Sequence, residues 1–424
     1  MKIAIIGSGI AGNVAAYKLR DEHEITVFEA ANYVGGHTNT INVSTPNGPL
    51  PVDTGFIVFN DRTYPNFIEL MEEIGQRSIA SEMSFSVHTA DGELEYNGRS
   101  ANGLFTQRRN FFRPSFYRML TDIMRFNRDA LPNLRQGKAD ASLGSYLVDN
   151  RYSRGFIDHY LVPMTAAIWS AEPSQVLEIP AEFILRFFDN HGLMQLRNRP
   201  QWRVIEGGSQ AYVEKLVAGH RDRIRLRCPV RLVSRVSDGV HIHTDEYGRE
   251  KFDAVFFACH SDQALEILSD ETDAEREVLS AIRYQSNEAI LHTDTRLLPS
   301  RERSWAAWNY QIPSHAGAQV TVTYNMNILQ RLEAAETYCV TLNSAAQIDE
   351  SKILGRFDYA HPMYTAESVA AQARQAEINT GRTYYCGAYW RNGFHEDGVV
   401  SALNAIEHFN GDHSDAQLHL RRAS

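Results

Sequence analysis

Three glycines near the N-terminus, Gly7, Gly9 and Gly12, have the G-x-G-x-x-G spacing that lets a main chain hold a phosphate. The spacing alone is weak, and its surroundings give it weight. The run Lys2-Ile3-Ala4-Ile5-Ile6 precedes it and reads as a buried parallel strand. Ala15, Ala16 and Leu19 follow at helical spacing. In that context each glycine has its own task. Gly7 permits the tight turn, Gly9 lets a pyrophosphate approach the backbone, and Gly12 lets helix and strand pack closely. The helix begins around Ile10 and Ala11, and its free N–H groups and positive dipole end face the phosphates. A second strand, Ile25-Thr26-Val27-Phe28, ends at Glu29, which is placed to accept hydrogen bonds from an adenosine ribose. The reading is a strand–helix–strand unit that binds a dinucleotide.

The elements that position these residues are spread along the chain. A length of 424 residues predicts two or three domains. With 43% hydrophobic and 22% charged residues the composition is that of a globular protein with a sizeable core. A net charge of −10 argues against a general nucleic-acid binder. Cys228, Cys259, Cys339 and Cys386 are far apart, without C-x-x-C spacing, which fits a reducing compartment. No metal-ligand spacing and no Ser/His/Asp arrangement stands out. No apolar run reaches about 18 residues, and the chain goes directly into a strand with no signal-peptide pattern. The expectation is a cytoplasmic protein.

Residues 38–60 read as short strands about the turn Pro46-Asn47-Gly48, Tyr64–Ile74 as a helix, and Ser84–Tyr96 as a hairpin. Short helices are expected over 142–198. There the large apolar groups of Pro163–Trp169 and Phe183–Phe188 either line a substrate tunnel or form plain core. A glycine pair, Gly207-Gly208, precedes a helix over Tyr212–Val217. Further strands are expected within Ile224–Val236, Gly239–Thr244 and Phe252–Cys259. Thr383–Gly387 predicts a strand, followed by a loop through Gly398 and a helix over Val399–Phe409.

The order Glu29-Ala30 followed by Gly35-Gly36 resembles flavoproteins of the amine oxidase superfamily, which also holds protoporphyrinogen oxidase and phytoene desaturase. The resemblance implies an α/β fold in which a Rossmann-like FAD-binding domain (1–60, 200–265 and 380–412) interleaves with an α+β substrate domain (61–199 and 266–379). It implies FAD as cofactor, with Gly35 and Gly36 along the pyrophosphate. The usual next residue is arginine, and here it is His37. Thr54, Gly55 and Phe56, in Val52-Asp53-Thr54-Gly55-Phe56, would lie near the flavin ring; the plain alternative is a polar turn. Val230 would offer a backbone contact to the adenine. Ala258 ends a strand, and His260 stands where the family often has proline. Gly387 and Asp397-Gly398-Val399 match the closing motif, which approaches the ribityl chain and the pyrimidine end of the flavin. Catalytic residues are not defined by the match. His395, or Phe394, falls near an aromatic position that flanks the flavin, and Tyr389 and Trp390 are alternatives. Amine oxidases commonly carry a lysine on a strand that corresponds to Glu288–His292. This chain has none there, which weakens an amine substrate; His292 has either a polar role or a purely structural one.

Within the superfamily the chain looks most like bacterial amine-oxidase-like proteins associated with cyclopropane and furan fatty-acid synthesis. The carriers are Gly7-Ser8-Gly9-Ile10-Ala11-Gly12, Val52–Phe56 and Tyr389-Trp390 with Gly393–Gly398. The implied activity is an FAD-dependent oxidoreductase that removes hydride from a fatty acyl carbon. The alternatives are an amine or amino-acid oxidase and a redox-neutral isomerase that uses bound FAD. One stretch adds a possible partner. Over 104–134, Arg108, Arg109, Arg113, Arg118, Arg125 and Arg128 interleave with Phe105, Phe111, Phe112, Phe116, Tyr117 and Phe126. Such a stretch is either an amphipathic helix with solvated arginines or, through 104–128, a peripheral contact with the inner membrane surface.

Overall fold

The computed structural model describes residues 1–195, 197–312 and 321–423, with side chains as far as residue 414. Lys2–Ile6 is the centre of a five-stranded sheet. Glu24–Phe28 and Ala254–Phe257 flank it, and Ile224–Arg225 and Thr383–Tyr385 form the edges, all in parallel pairings. Three distant stretches of chain therefore build one sheet. Alternate residues point to opposite faces. Ile3, Ile5, Ile25 and Val27 pack under the helices Ile10–Leu19, Gln210–Val217 and His395–Ala423. Ala4, Ile6, Phe28, Val255 and Phe257 pack instead on a three-stranded sheet, Val230–Val236, Gly239–Thr244 and Gly248–Phe252, and on the helix Asp273–Ala281. Both faces are covered, so the central strands are continuous apolar runs, not alternating ones.

A second sheet has seven strands in the order Ile353–Pro362, Tyr284–His292, Cys339–Leu342, Thr321–Asn325, Trp308–Ile312, Phe85–Thr89 and Glu95–Asn97. Only the pairing of Trp308–Ile312 with Phe85–Thr89 is parallel. A helical layer covers part of it: Pro114–Arg135, Leu143–Asp149, Val162–Trp169, Pro173–Glu178 and Ala181–Asn190 share one core with Val87, Tyr96, Tyr310 and Val322 of the sheet. Ahead of Val162–Trp169 the chain widens into a π turn at Ile157–Leu161. Pro163 follows directly; its missing N–H and its ring disfavour ordinary α bonding there.

Two elements differ from their expected limits. The closing helix begins at His395, not Val399. The Asp397 carboxylate accepts the N–H groups of Asn392 (3.2 Å) and Phe394 (2.9 Å), which winds the preceding loop into a helix start. Two acids in the first turn also suit the positive end of the helix dipole. The arginine–aromatic region breaks in two: Arg108–Phe112 is a 3₁₀ turn, and the α-helix starts only at Pro114, which sits well at a first helical position.

Candidate active site

The first glycine loop is sealed on one side and open on the other. A Cβ on Gly7, whose φ is +103°, would lie 2.7 Å from the Ala258 carbonyl oxygen. One on Gly12 would lie 2.0 Å from the Gly7 oxygen and 3.1 Å from the Ala258 Cβ. A Cβ on Gly9 would meet nothing within 4 Å. The second glycine pair lies against that opening: a Cβ on Gly36 would stand 3.1 Å from the Gly9 Cα. Gly398 closes in from the other end of the chain, where a Cβ would stand 2.5 Å from Ile10 Cγ2 and 3.7 Å from the Ala11 nitrogen. The N-termini of two helices, Ile10–Leu19 and His395–Ala423, thus converge at one opening. Free N–H groups, two dipole ends and a side with no Cβ fit a diphosphate.

Glu29 stands beside this loop. Its Oε2 accepts from the Ser8 N–H (2.9 Å) and hydroxyl (2.5 Å), and its Oε1 accepts from the Ala31 N–H (2.7 Å). Oε1, with one donor, keeps further lone-pair capacity for a ribose hydroxyl. Ala30, next to it, is exposed. The stretch before Val230 runs alongside, with the Cys228 N–H donating to the Glu29 carbonyl (2.9 Å) and the Arg227 N–H to that of Ala31 (2.9 Å). Gly387 ends the edge strand Thr383–Tyr385, and its N–H donates to Ser401 Oγ on the closing helix (2.9 Å). Val399 is buried in that helix, packed with Ile10, Ala11 and Val14.

The segment 37–39 runs against 54–56. The Phe56 N–H donates to the His37 carbonyl (2.7 Å) and the Thr54 N–H to that of Asn39 (2.9 Å). A Cβ on Gly55 would meet the His37 oxygen at 2.1 Å. His37 stacks on Tyr359 with ring centres 5.0 Å apart, and lies 5.5 Å from His361 and 6.3 Å from His260. Its Nε2 is buried and has no hydrogen-bond partner. Burial pushes His37 and His260 down to about 4 and His361 to about 3, with neighbouring imidazoles adding to it in each case. The three are neutral at neutral pH. Where the family places a cation, this chain has uncharged imidazole.

Of the four candidates at the catalytic end, His395 comes to the cradle. It stacks on Phe56 (3.3 Å between centres), and its Nε2 lies 3.0 Å from Thr38 Oγ1 and 2.9 Å from the Tyr212 hydroxyl. Burial, with His37 adding to it, holds it well below the usual histidine range, so it is neutral. Tyr389 and Trp390 face the other way, into the core beneath the opposite face of the parallel sheet. His292 is fully buried, with Nε2 2.7 Å from Thr341 Oγ1 and Nδ1 accepting the Asp294 N–H (3.1 Å). Both its nitrogens are occupied within the seven-stranded sheet.

Several residues at the site have no local signature in the sequence. Glu396 accepts the Asn66 side-chain amide (2.6 Å) and the N–H groups of Asn66 (3.2 Å) and Phe67 (2.9 Å), and so caps the helix Pro65–Glu73 from 330 positions away along the chain. Asp53 is fully buried and accepts from Thr40 (2.5 Å), from the N–H and hydroxyl of Ser209 (both 2.8 Å) and from Gln330 (2.9 Å). Burial lifts its carboxyl to about 6, against the pull of these donors, and lifts that of Asp397 to about 7. Acids near a diphosphate would repel it. Here both first-turn acids of the closing helix are buried and taken up by N–H donors.

Beyond Phe394 lies an aromatic chamber. Phe394 packs on Phe187 (5.4 Å), Phe187 on Trp169 (4.6 Å) and His191 (3.9 Å), and Phe183 on Tyr364 (4.7 Å). The Trp169 Nε1–H donates to the Asn392 carbonyl (2.9 Å), tying the helical layer to the loop before the closing helix. A cavity of about 110 Å³ opens here, lined by Trp169, Tyr364, Met363, Gln285 and His361, with exposed Glu178 at its mouth. His361 therefore joins the cavity to the cradle.

A parallel nucleotide sheet with this cradle, joined to a sheet-and-helix domain beside an aromatic cluster, defines a dinucleotide-binding fold of two interleaved domains. The chain belongs to the flavin containing amine oxidoreductase family, which it matches over residues 10–407, and FAD is the cofactor of that family. A Mycobacterium tuberculosis protein provisionally named flavin-containing monoamine oxidase AofH is 26% identical over 255 residues, 58% of this chain and 54% of that protein. The chain thus spans about half the length of the curated relatives it matches. Among solved structures, the CLA-producing fatty acid isomerase from P. acnes superposes with a TM-score of 0.70 at 16% identity, covering 96% of this chain and 98% of that one. Cyclohexylamine oxidase from Brevibacterium oxydans does so with a TM-score of 0.67 at 15% identity, covering 96% and 99%. At those identities the likeness is one of fold. No helix among the described residues is long and apolar enough to cross a membrane.

Proposed function

We propose that this chain is an FAD-dependent oxidoreductase that removes hydride from a carbon of a fatty acyl chain. The observation that carries the reading is the aromatic cluster beside the cradle, where Trp169, Phe183, Phe187, Tyr364 and Phe394 pack together, and the adjoining cavity carries a single carboxylate, Glu178. The two acids that start the closing helix already accept backbone N–H groups, and the strand Tyr284–His292 has no lysine. When bound, FAD supplies the two-electron acceptor. The chain's residues supply position and dryness. Gly9 and Gly36 admit the diphosphate, Phe394 and Phe187 hold an apolar chain, and neutral His395, backed by Thr38 and Tyr212, is the group placed to take part in proton handling. The fatty acid named as the substrate of the P. acnes isomerase agrees with an apolar chamber on this fold. The monoamine oxidase name of the M. tuberculosis relative favours the second reading, an amine substrate.

The experiment is anaerobic mixing of the FAD-loaded protein with unsaturated or methyl-branched acyl phospholipid, watching the visible flavin band. Bleaching by lipid and not by polyamines is the expected result. Bleaching by polyamines alone would move the assignment to amine oxidation. A persistent band accompanied by a shifted double bond would make the protein a redox-neutral isomerase.

A further inference from the structure

We propose that the face formed by the turn Arg108–Phe112 and the first half of the helix Pro114–Arg135 docks on an anionic phospholipid surface. The helix sorts its residues sharply. Phe116, Met119, Phe126 and Ala130 are buried in the helical core. Phe111, Phe112, Tyr117 and Met124 point outward, exposed by 45%, 89%, 44% and 59%. Phe112 is the most exposed large apolar side chain among the described residues, and these four lie within one short stretch, unlike the scattered surface apolar groups of an ordinary protein.

The charges around them complete the argument. Arg118 and Arg125 pair with Asp122, and Arg128 pairs with Asp129. Among the described residues Arg108, Arg109 and Arg113 form no ion pair. They donate only to neutral acceptors: Arg108 to Phe105 O (2.9 Å) and Asn102 Oδ1 (2.6 Å), Arg109 to Gly92 O (2.9 Å) and Glu93 O (2.7 Å), and Arg113 to Glu93 O (3.1 Å). Asp91 and Glu93 on the flanking hairpin form no ion pair with them among the described residues. Asp91 acts on Arg109 only at a distance, so three guanidinium groups outside any ion pair flank the exposed phenylalanines on a chain whose net charge is −10. An anionic bilayer attracts this face and repels the rest, which sets an orientation. Its interface also takes up aromatic side chains. A nucleic acid would offer phosphates without a place for Phe112. A second copy would set the same arginines against each other across a two-fold axis. The helix Pro114–Arg135 shares its core with Ala181–Asn190, whose Phe183 and Phe187 pack on Trp169 of the cavity wall, so the docking face and that wall are joined through one helical layer. The inference does not depend on which substrate is oxidised.

The test is vesicle flotation of the full FAD-loaded chain with phosphatidylcholine alone and with added phosphatidylglycerol. Expected is binding to the anionic vesicles only, released by salt. Phe112→Asp should lower partitioning about ten-fold or more. Each of Arg109→Gln and Arg113→Gln should lower it about five-fold. All three variants should keep the wild-type flavin band, because none of these side chains is buried in the core. Absence of binding to anionic vesicles, or binding undiminished in Phe112→Asp, would overturn the proposal. So would self-association without lipid that Phe112→Asp abolishes, since the face would then belong to a second copy.

Discussion

Gly9 and Gly12 stand three residues apart in the same motif, yet replacing them should break different things. Gly12→Ala puts a methyl group 2.0 Å from the Gly7 carbonyl oxygen and 3.1 Å from the Ala258 Cβ. One neighbour is backbone in a tight turn and the other ends a central strand, so neither can swing aside. The helix must move, and overpacking of this kind costs about 1–3 kcal/mol. For a chain of this length that is a fall in Tm of roughly 1–3 °C. Gly9→Ala meets no atom within 4 Å, and the Gly9 backbone, φ −67° and ψ −176°, suits alanine. Its effect on the apoprotein should stay within about 0.5 kcal/mol. The methyl group would, however, stand in the opening between the two helix N-termini. Holding a diphosphate away from it removes at least one hydrogen bond to a charged group, about 1.5–3 kcal/mol. That weakens FAD binding about 10- to 100-fold. Far-UV circular dichroism melting of the apoproteins and titration of flavin fluorescence give the two numbers separately. The reasoning is refuted if Gly9→Ala binds FAD as the wild type does, or if it melts as early as Gly12→Ala.

Glu396→Ala should leave three donors at the start of the helix Pro65–Glu73 without their acceptor and cost about 1–3 kcal/mol, read as a lower urea midpoint; an unmoved midpoint would remove the capping role. Acid should destabilise the protein. Burial pushes His37, His88, His191, His220, His260 and His292 to about 4 and His361 to about 3, from an ordinary value of 6.5. Below pH 6.5 the unfolded chain binds more protons than the folded one, so stability is full above that value and is lost as the pH falls toward 4. Asp53 and Asp397, raised from 3.8 to about 6 and about 7, act the other way: protonation favours the fold at low pH, and that contribution is lost as the pH rises through those values. Seven histidines outweigh two acids, so Tm should drop between pH 7 and pH 5. It should drop more steeply in Asp397→Asn, which lacks one opposing group, and a flat profile in both proteins would contradict the assignment.

The sequence alone determined the nucleotide unit. Glycine spacing, a continuous apolar strand and a terminal acid are local patterns, and the physics that selects them acts over neighbouring residues: Gly7, Gly9 and Gly12 differ in what a Cβ would meet, and their order along the motif is enough to say so. The hairpins at 40–53 and 85–97 were legible for the same reason, since turn residues and alternation are local too. The family's cofactor and its discontinuous domains were also readable, from motifs at both ends of the chain.

Only the tertiary structure decided what depends on residues far apart. Nothing near Glu396 tells that it caps a helix at Pro65, or near Asp53 that its partners are Ser209 and Gln330. The start of the closing helix moved to His395 because one carboxylate took up the N–H groups of its own loop. Tyr389, Trp390 and His395 are close in sequence, but a 3₁₀ turn at Ala388–Trp390 turns the first two to one face of the sheet and leaves the third at the cradle. Whether an imidazole is a free group or a satisfied one depends on what surrounds it. His292 finds two partners across a sheet, and His37 is left with a bare nitrogen beside the cofactor cradle. Burial and pairing are properties of the packed chain, and no local pattern encodes them.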